Sequence, residues 1–258
     1  MKWLDGLRIF PFKDPGDIIH FVADEYGKIL VIDDGEYRFL NFNSPFEQSC
    51  MSTRFPFQLI HQYTQYMLLV LAFTDPQRIV LLGLGGGSLL RSLHYMLPGC
   101  IFNIVELRKK VVDVAIEYFH IPLDGRVEIT VNNALDSIDQ WRSNSADIIF
   151  SDMYDAYHMV ENQVQRPFLE QCSRILTHRG WLVINLHRLP DDRGSFFEML
   201  NETFPTVYWS ANPANTILFA SNSEPDSVFP DPRLIEVAED KLGQHFKQLV
   251  SRILKMKR

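Results

Sequence analysis

The stretch IVLLGLGGGSLLRSL sets Gly83, Gly85 and Gly87, with Gly86 between the last two, directly after an apolar run and directly before a helical pattern. Glycines at such a turn let the backbone pass close to a ligand, and the helix start behind them offers N–H groups that have no intrahelical partner. The next apolar run ends at Glu106, where a carboxylate can accept hydrogen bonds from both hydroxyls of a ribose. Turn and acid together point to a nucleoside. A P-loop is excluded, because Ser88 is followed by Leu89 and no Gly-Lys-Ser/Thr is present.

The dinucleotide fingerprint G-x-G-x-x-G is met at Gly83 and Gly85 and fails at Ser88, whereas Gly83, Gly85 and Gly87 make the G-x-G-x-G form seen in S-adenosylmethionine enzymes. A further apolar run ends at Val131-Asn132-Asn133-Ala134. The side-chain carbonyl of Asn133 suits an adenine amino group, and it suits equally well the cap of a helix beginning at Ala134. The run after that ends at Asp152, with Asp155 three residues later. Two carboxylates at one pocket can hold a cationic amine and take its proton as it attacks an electrophile. The competing role for either Asp is to cap a following helix.

These residues need a scaffold that brings them to one place. From Arg78 onward apolar segments at 79–82, 101–105, 127–131, 147–150 and 181–186 alternate with helical patterns at 88–96, 109–119, 134–141, 167–176 and 196–204. Repeated βα alternation implies a mostly parallel sheet with helices on both faces and ligands at the carboxyl ends of the strands. Segments 207–210 and 216–221, joined through Asn212-Pro213, read as a closing strand pair. After them Asp231-Pro232 starts a helix with Ile235, Ala238, Leu242, Phe246, Leu249 and Ile253 on one face and Lys255, Lys257 and Arg258 at its negative end. Upstream, the apolar runs 29–32 and 37–40, punctuated by Tyr26-Gly27 and Asp33-Asp34-Gly35, predict a small antiparallel sheet. Asn43-Ser44-Pro45 and Arg54-Phe55-Pro56 then break the pattern, and helical spacing resumes over 59–73. The expected organisation is an N-terminal β module over 1–56 and an α/β domain over 57–258, of the Rossmann-like, S-adenosylmethionine-dependent methyltransferase type.

Composition narrows the function classes. The 258 residues, 46% of them apolar, suffice for one substantial core and a small extra module. No apolar run approaches the ~20 residues of a membrane span, and Lys2, Asp5 and Arg8 interrupt the opening stretch, so neither insertion nor export is expected and the expected location is cytoplasmic. Cys50, Cys100 and Cys172 are widely spaced and form no CxxC pair, in keeping with a reducing compartment. A net charge of -7 argues against nucleic acid as partner and suits cationic ligands. No GxSxG or HExxH occurs, and the histidines at 20, 61, 94, 120, 158, 178, 187 and 245 lack metal-ligand spacing, so no metal is expected. His158 and His187 fall near strand ends, where they either line a pocket or serve the structure.

In order and spacing, residues 15–190 resemble the spermidine synthases, the polyamine aminopropyltransferases. The resemblance rests on an N-terminal β module, a Tyr at 63, the glycine turn, Glu106, Asn133-Ala134 and the D-x-x-D pair Asp152/Asp155. It implies that Gly83, Gly85, Gly86, Gly87, Glu106, Asn133 and Ala134 hold the nucleoside. It further implies that Asp152 is the proton acceptor, that Asp155 binds the substrate amine, that Tyr63 positions that amine, and that Glu161 sits in a loop closing over the site. The co-substrate implied is decarboxylated S-adenosylmethionine, the partner a small cationic amine such as putrescine, and the assembly a homodimer or homotetramer.

The departures cluster toward the substrate. Thr64 stands for the family His, Gln65 for its Glu, Gly86 for the Asp of the glycine turn, and His20 for a substrate-contacting Gln. Arg108, two residues after Glu106, reads as an exposed helix-start residue, or else as a positive charge near the site. Aminopropyl transfer is the leading expectation. Methyl transfer from ordinary S-adenosylmethionine on the same fold is the alternative, and a nucleoside-binding relative without catalysis is the third reading.

Overall fold

A computed structural model describes residues 16–187, 189–211, 214–224, 231 and 233–256. The interrupted opening stretch, the Asn212-Pro213 turn, Pro232, Lys257 and Arg258 lie outside the described residues. Strands β1 (Asp17–Asp24), β2 (Gly27–Asp33), β3 (Tyr37–Asn41) and β4 (Glu47–Ser52) form an antiparallel sheet in the order β1-β2-β3-β4. The sequence pattern assigns no strand to residues 47–52, the segment of β4. Its register with β3, Phe39 opposite Cys50 and Tyr37 opposite Ser52, is what makes it a strand.

The second sheet contains β5 (Arg78–Leu82), β6 (Ile101–Glu106), β7 (Val127–Val131), β8 (Ala146–Ser151), β9 (Leu176–Leu186), β10 (Thr206–Ala211), β11 (Thr216–Ser221) and β12 (Leu254–Lys255). Its order is β12-β10-β11-β9-β8-β5-β6-β7, parallel from β9 through β7 and antiparallel among β9, β11, β10 and β12. The helices are α1 (Gln62–Met67), continued by a 3₁₀ turn at Leu68–Ala72, then α2 (Ser88–Met96), α3 (Lys109–Tyr118), α4 (Ala134–Ile138), α5 (Arg166–Ile175), α6 (Arg193–Thr203), α7 (Arg233–Leu242) and α8 (Lys247–Val250).

Strand alternation sorts the core into two layers. Ile79 and Leu81 of β5 pack with Leu90 and Leu93 of α2, Ala115 of α3 and Ala238 of α7. Val80 and Leu82 pack on the other face with Phe168, Leu169 and Cys172 of α5 and Phe196 and Leu200 of α6. A third cluster joins the N-terminal sheet to α3, with Ile29, Val31, Leu40 and Met51 set against Val111, Val114 and Phe119. The N-terminal sheet is thereby seated on α3, the helix that follows Glu106.

The single long C-terminal helix does not form. Gly243 takes φ +63, a left-handed conformation that ends α7 after Leu242. Gln58 Nε2 then donates to the freed Leu242 carbonyl at 2.9 Å. After α8, Lys255 lies in an edge strand opposite Tyr208 rather than at a helix end. The apolar period runs through the break because the short helix packs on the same core, with Leu249 and Ile253 against it.

Candidate active site

The chain leaves β5 for β6 and β7 on one side and places β8 and β9 on the other, so the strand order reverses between β5 and β8. Open α/β sheets bind ligands at such a reversal, beyond the carboxyl ends of the strands. The two ends meet tightly here. Gly83 has φ +95, and a Cβ on it would lie 2.4 Å from the carbonyl oxygen of Asp152. Asp152 N donates to Leu82 O at 3.0 Å, and Gly83 N donates to Val105 O at 2.9 Å. The first glycine of the turn is thus required by the strand that carries Asp152.

A cavity of about 740 Å³ opens at this point, within the range of small-molecule and cofactor sites. Gly83, Leu84, Gly85, Glu106, Leu107 and Ala134 form one side of it. Glu106 is only 8% exposed, its Oε2 accepting from Leu84 N and its Oε1 from Arg108 N, both at 2.9 Å. Burial pushes its pKa up, and the backbone N–H groups of Arg108, Leu84 and Gly85 oppose that shift. The carboxylate is held in one orientation, and each oxygen keeps lone-pair capacity for ribose hydroxyls.

Asp152, whose backbone abuts Gly83, lines the same cavity and is otherwise enclosed by protein. Asn185 Nδ2 donates to its Oδ1 at 2.8 Å. Burial raises its pKa, while the Asn185 hydrogen bond, the Tyr63 phenol and the charge of His61 favour the ionised form. The pKa of Tyr63 is raised well above the phenol value, by burial first and by the neighbouring Asp152 charge second, so the hydroxyl keeps its proton. A carboxylate that is costly to ionise and open to a ligand cavity is suited to accept a proton. The described residues lining the cavity include four carboxylates, Glu47, Glu106, Asp152 and Asp155, and neither Lys nor Arg.

No family model matches the chain. Among curated relatives, the polyamine aminopropyltransferase of Neisseria meningitidis is 31% identical over 163 residues, 62% of each chain. That of Chromobacterium violaceum is 30% identical over 179 residues, covering 69% of this chain and 68% of the relative. The chain belongs to the polyamine aminopropyltransferase family. The match spans 62% of the length of the Neisseria relative. A probable spermidine synthase from Corynebacterium glutamicum has the same fold, with a TM-score of 0.75 at 22% identity over 93% of this chain and 91% of that one. The eEF1A lysine and N-terminal methyltransferase of Xenopus laevis is 31% identical over 159 residues, 57% of this chain and 23% of that protein.

Within this aminopropyltransferase-family site, Gly83, Gly85, Glu106, Ala134, Tyr63, Asp152 and Asp155 share one cavity wall or another. Other expected site residues do not. Gly86 and Gly87 are buried behind the turn, and a Cβ on Gly86 would meet Ser49 Cβ at 2.8 Å and Phe119 Cδ1 at 3.1 Å. Asn133 caps α4, accepting from Leu135 N at 2.9 Å, so of the two roles open to it the helix takes the side chain. Asp155 faces the cavity but is exposed, and its Oδ1 accepts from the Tyr157 and His158 amides at 2.7 Å in a local turn. Glu161 is exposed at the start of a 3₁₀ turn (Glu161–Val164) and does not line the cavity.

The departures also sort differently in space. His20 is not at the substrate end, since its Nδ1 meets the Tyr118 hydroxyl at 3.1 Å and the two rings pack 4.8 Å apart at a 33° tilt. Thr64 is buried and donates to His61 O at 2.7 Å, which leaves it behind the wall. Gln65 reaches the cavity while bonding to Leu59 O. Arg108 is neither an exposed helix start nor a charge in the site. It is buried against Asp24 of β1 at 2.8 Å, each side chain 8% exposed, because the N-terminal sheet folds over the start of α3. His187 lines the cavity, and His158 is exposed beside Asp155.

Several site residues had no sequence signal. Asn185 is the penultimate residue of β9, where an apolar period gives no hint that one side chain turns back to Asp152. Arg91 of α2 is buried, its Nη1 donating to Gly86 O at 2.7 Å and Phe119 O at 2.8 Å and its Nε to Pro56 O at 2.7 Å. Desolvation pushes its pKa down to about 10, and these carbonyls brace the glycine turn from behind. From β4, Glu47, Gln48 and Ser49 all reach the cavity. A nearby signal did exist in the run of polar residues Glu47-Gln48-Ser49 between apolar neighbours Phe46 and Cys50.

Proposed function

We propose that the protein transfers an aminopropyl group from decarboxylated S-adenosylmethionine to a small cationic amine such as putrescine. The observation that carries this reading is the charge of the cavity, with four carboxylates set against two histidines and, among the described residues, no Lys or Arg to meet a donor carboxylate. Decarboxylated S-adenosylmethionine presents a sulfonium and an ammonium and no carboxylate. Ordinary S-adenosylmethionine would bring its carboxylate into a field of like charge, which costs binding.

In this reading Glu106 holds the ribose and the glycine turn admits the nucleoside close to the backbone. Asp152 accepts the proton of the attacking ammonium, Tyr63 orients it, and Asp155 adds negative charge at the cavity mouth. The freed amine lone pair attacks the propyl carbon bound to sulfur, the C–S bond breaks, and its electron pair leaves on sulfur as neutral methylthioadenosine. The chain's contribution is alignment and proton removal. The division into modules near residue 56, a cytoplasmic location, suggested by three free, buried cysteines, and a homodimeric or homotetrameric assembly belong to the same proposal.

The test is incubation of the pure protein with decarboxylated S-adenosylmethionine and putrescine, read as methylthioadenosine release. Absence of product above a buffer control across several amines overturns the reading. The similarity to an eEF1A lysine and N-terminal methyltransferase makes methyl transfer the second reading. A thermal-shift comparison separates the two: stronger stabilisation by S-adenosylmethionine or S-adenosylhomocysteine than by the decarboxylated donor or methylthioadenosine favours methyl transfer.

A further inference from the structure

We infer that Glu47, propped by His61, is the carboxylate that recognises the terminal ammonium of the donor's three-carbon chain, a role that Gly86 lacks the side chain to perform. The inference rests on the aminopropyl-transfer reading and names a residue that the sequence motifs do not contain.

Three observations place Glu47. First, the register of β4 against β3 shifts between Leu40, opposite Ser49, and Asn41, opposite Glu47, so Gln48 is an extra residue. Such a bulge re-aims side chains, and here three consecutive residues of one strand reach the cavity, which strict alternation would forbid. Second, Ser49 occupies the space beside Gly86, where its Oγ accepts from Gly86 N at 2.8 Å. The space of a side chain at position 86 is therefore filled from β4, and Glu47, two residues from Ser49 on that same bulged strand, brings a carboxylate to the cavity. Third, Glu47 Oε2 lies 3.5 Å from His61 Nε2, with the two side chains 14% and 18% exposed. His61 in turn packs 5.7 Å, centroid to centroid, from Tyr63 and acts on the charge of Asp152.

Ser49 thus bonds the glycine turn at Gly86, Glu47 on the same strand contacts His61, and His61 packs beside Tyr63. A long contact to one imidazole leaves most of the capacity of Glu47 unused, as a carboxylate has about four acceptor sites. A donor whose nucleoside lies at the glycine turn shares its cavity with the Glu47 carboxylate, which is free to meet the ammonium. His61 acts as a positioning residue that holds the Glu47 carboxylate beside Tyr63.

Calorimetric titration of the full chain tests this with two probes. Decarboxylated S-adenosylmethionine carries the ammonium, and methylthioadenosine keeps the nucleoside and sulfur without it. Glu47→Gln is expected to weaken the first on the order of tenfold or more and to leave the second within about twofold of wild type. Glu47→Asp should recover part of the loss, and His61→Phe should weaken the same probe less than Glu47→Gln does. In steady state the KM for the donor rises in Glu47→Gln while the KM for the amine holds. Unchanged donor affinity in Glu47→Gln overturns the inference, as does equal weakening of both probes or a rise confined to the amine KM, which would assign Glu47 to the acceptor. Failure of the underlying reading shows separately and earlier: wild-type protein would then bind methylthioadenosine with no preference for the decarboxylated donor.

Discussion

The side-chain amide of Asn185 donates to Oδ1 of Asp152 at 2.8 Å, and the Oδ1 of Asn185 accepts from Asn215 Nδ2 at 2.9 Å. A chain of amides thus runs from the start of β11 to the proposed base and favours its ionised form against the burial that opposes it. Replacing Asn185 with Leu removes that donor, so the pKa of Asp152 moves further up. Because the base works deprotonated, the acidic limb of the pH–rate profile should shift to higher pH, with turnover at neutral pH lower by about tenfold. A profile with an unmoved acidic limb would remove Asn185 from the mechanism.

Asp152 also costs the fold stability. A carboxyl whose folded pKa is raised binds its proton more tightly in the native state than in the unfolded one. The cost is therefore full above the folded pKa, shrinks as pH falls through it, and is gone below the unfolded value. Asp152→Asn keeps an acceptor for Asn185 and deletes the charge. Calorimetry should show a Tm higher by a few degrees at neutral pH and no gain in strong acid, while turnover falls by at least ~100-fold. A lower Tm at neutral pH would contradict the sign.

Restoring the family's Asp at position 86 should fail as a single change. The new Cβ would meet Ser49 Cβ at 2.8 Å and Phe119 at 3.1 Å, and overpacking of this kind costs about 1–3 kcal/mol. Urea denaturation of Gly86→Asp should show that loss, and pairing it with Ser49→Gly should recover part of it. Wild-type stability in the single variant would mean that β4 yields easily beside the turn.

The Arg108–Asp24 pair fastens the N-terminal sheet to the start of α3, with Arg108 also donating to Gly27 O at 2.9 Å and lying 4.4 Å over the Phe42 ring centroid. Arg108→Met leaves the buried Asp24 unpaired, which costs about 3–5 kcal/mol. The same change loosens the sheet that carries Glu47. Denaturation should show the stability loss, and donor affinity should fall with it although Arg108 does not line the cavity.

Much of the α/β half was legible because it is written locally. Alternation of apolar runs with helical periods marks β5 through β9 and their helices, the left-handed conformations at Gly83, Gly85 and Gly87 require glycine, and Glu106 and Asp152 fall at strand ends by simple counting. Local grammar also has blind spots. It offered two roles for Asn133 with no means to choose, and it carried a helical period through Gly243, where one left-handed residue ends the helix.

By itself the sequence determined which residues could bind a nucleoside and hold a proton acceptor, because strand, turn and helix signals act within a few residues of each other. Only the tertiary structure decided what surrounds them. Ser49 fills the space beside Gly86 across 37 residues of chain, Arg108 reaches back 84 residues to Asp24, and Asn185 meets Asp152 from a neighbouring strand. Those contacts depend on sheet register and on a bulge in β4, and neither is encoded in the period or spacing of any single segment.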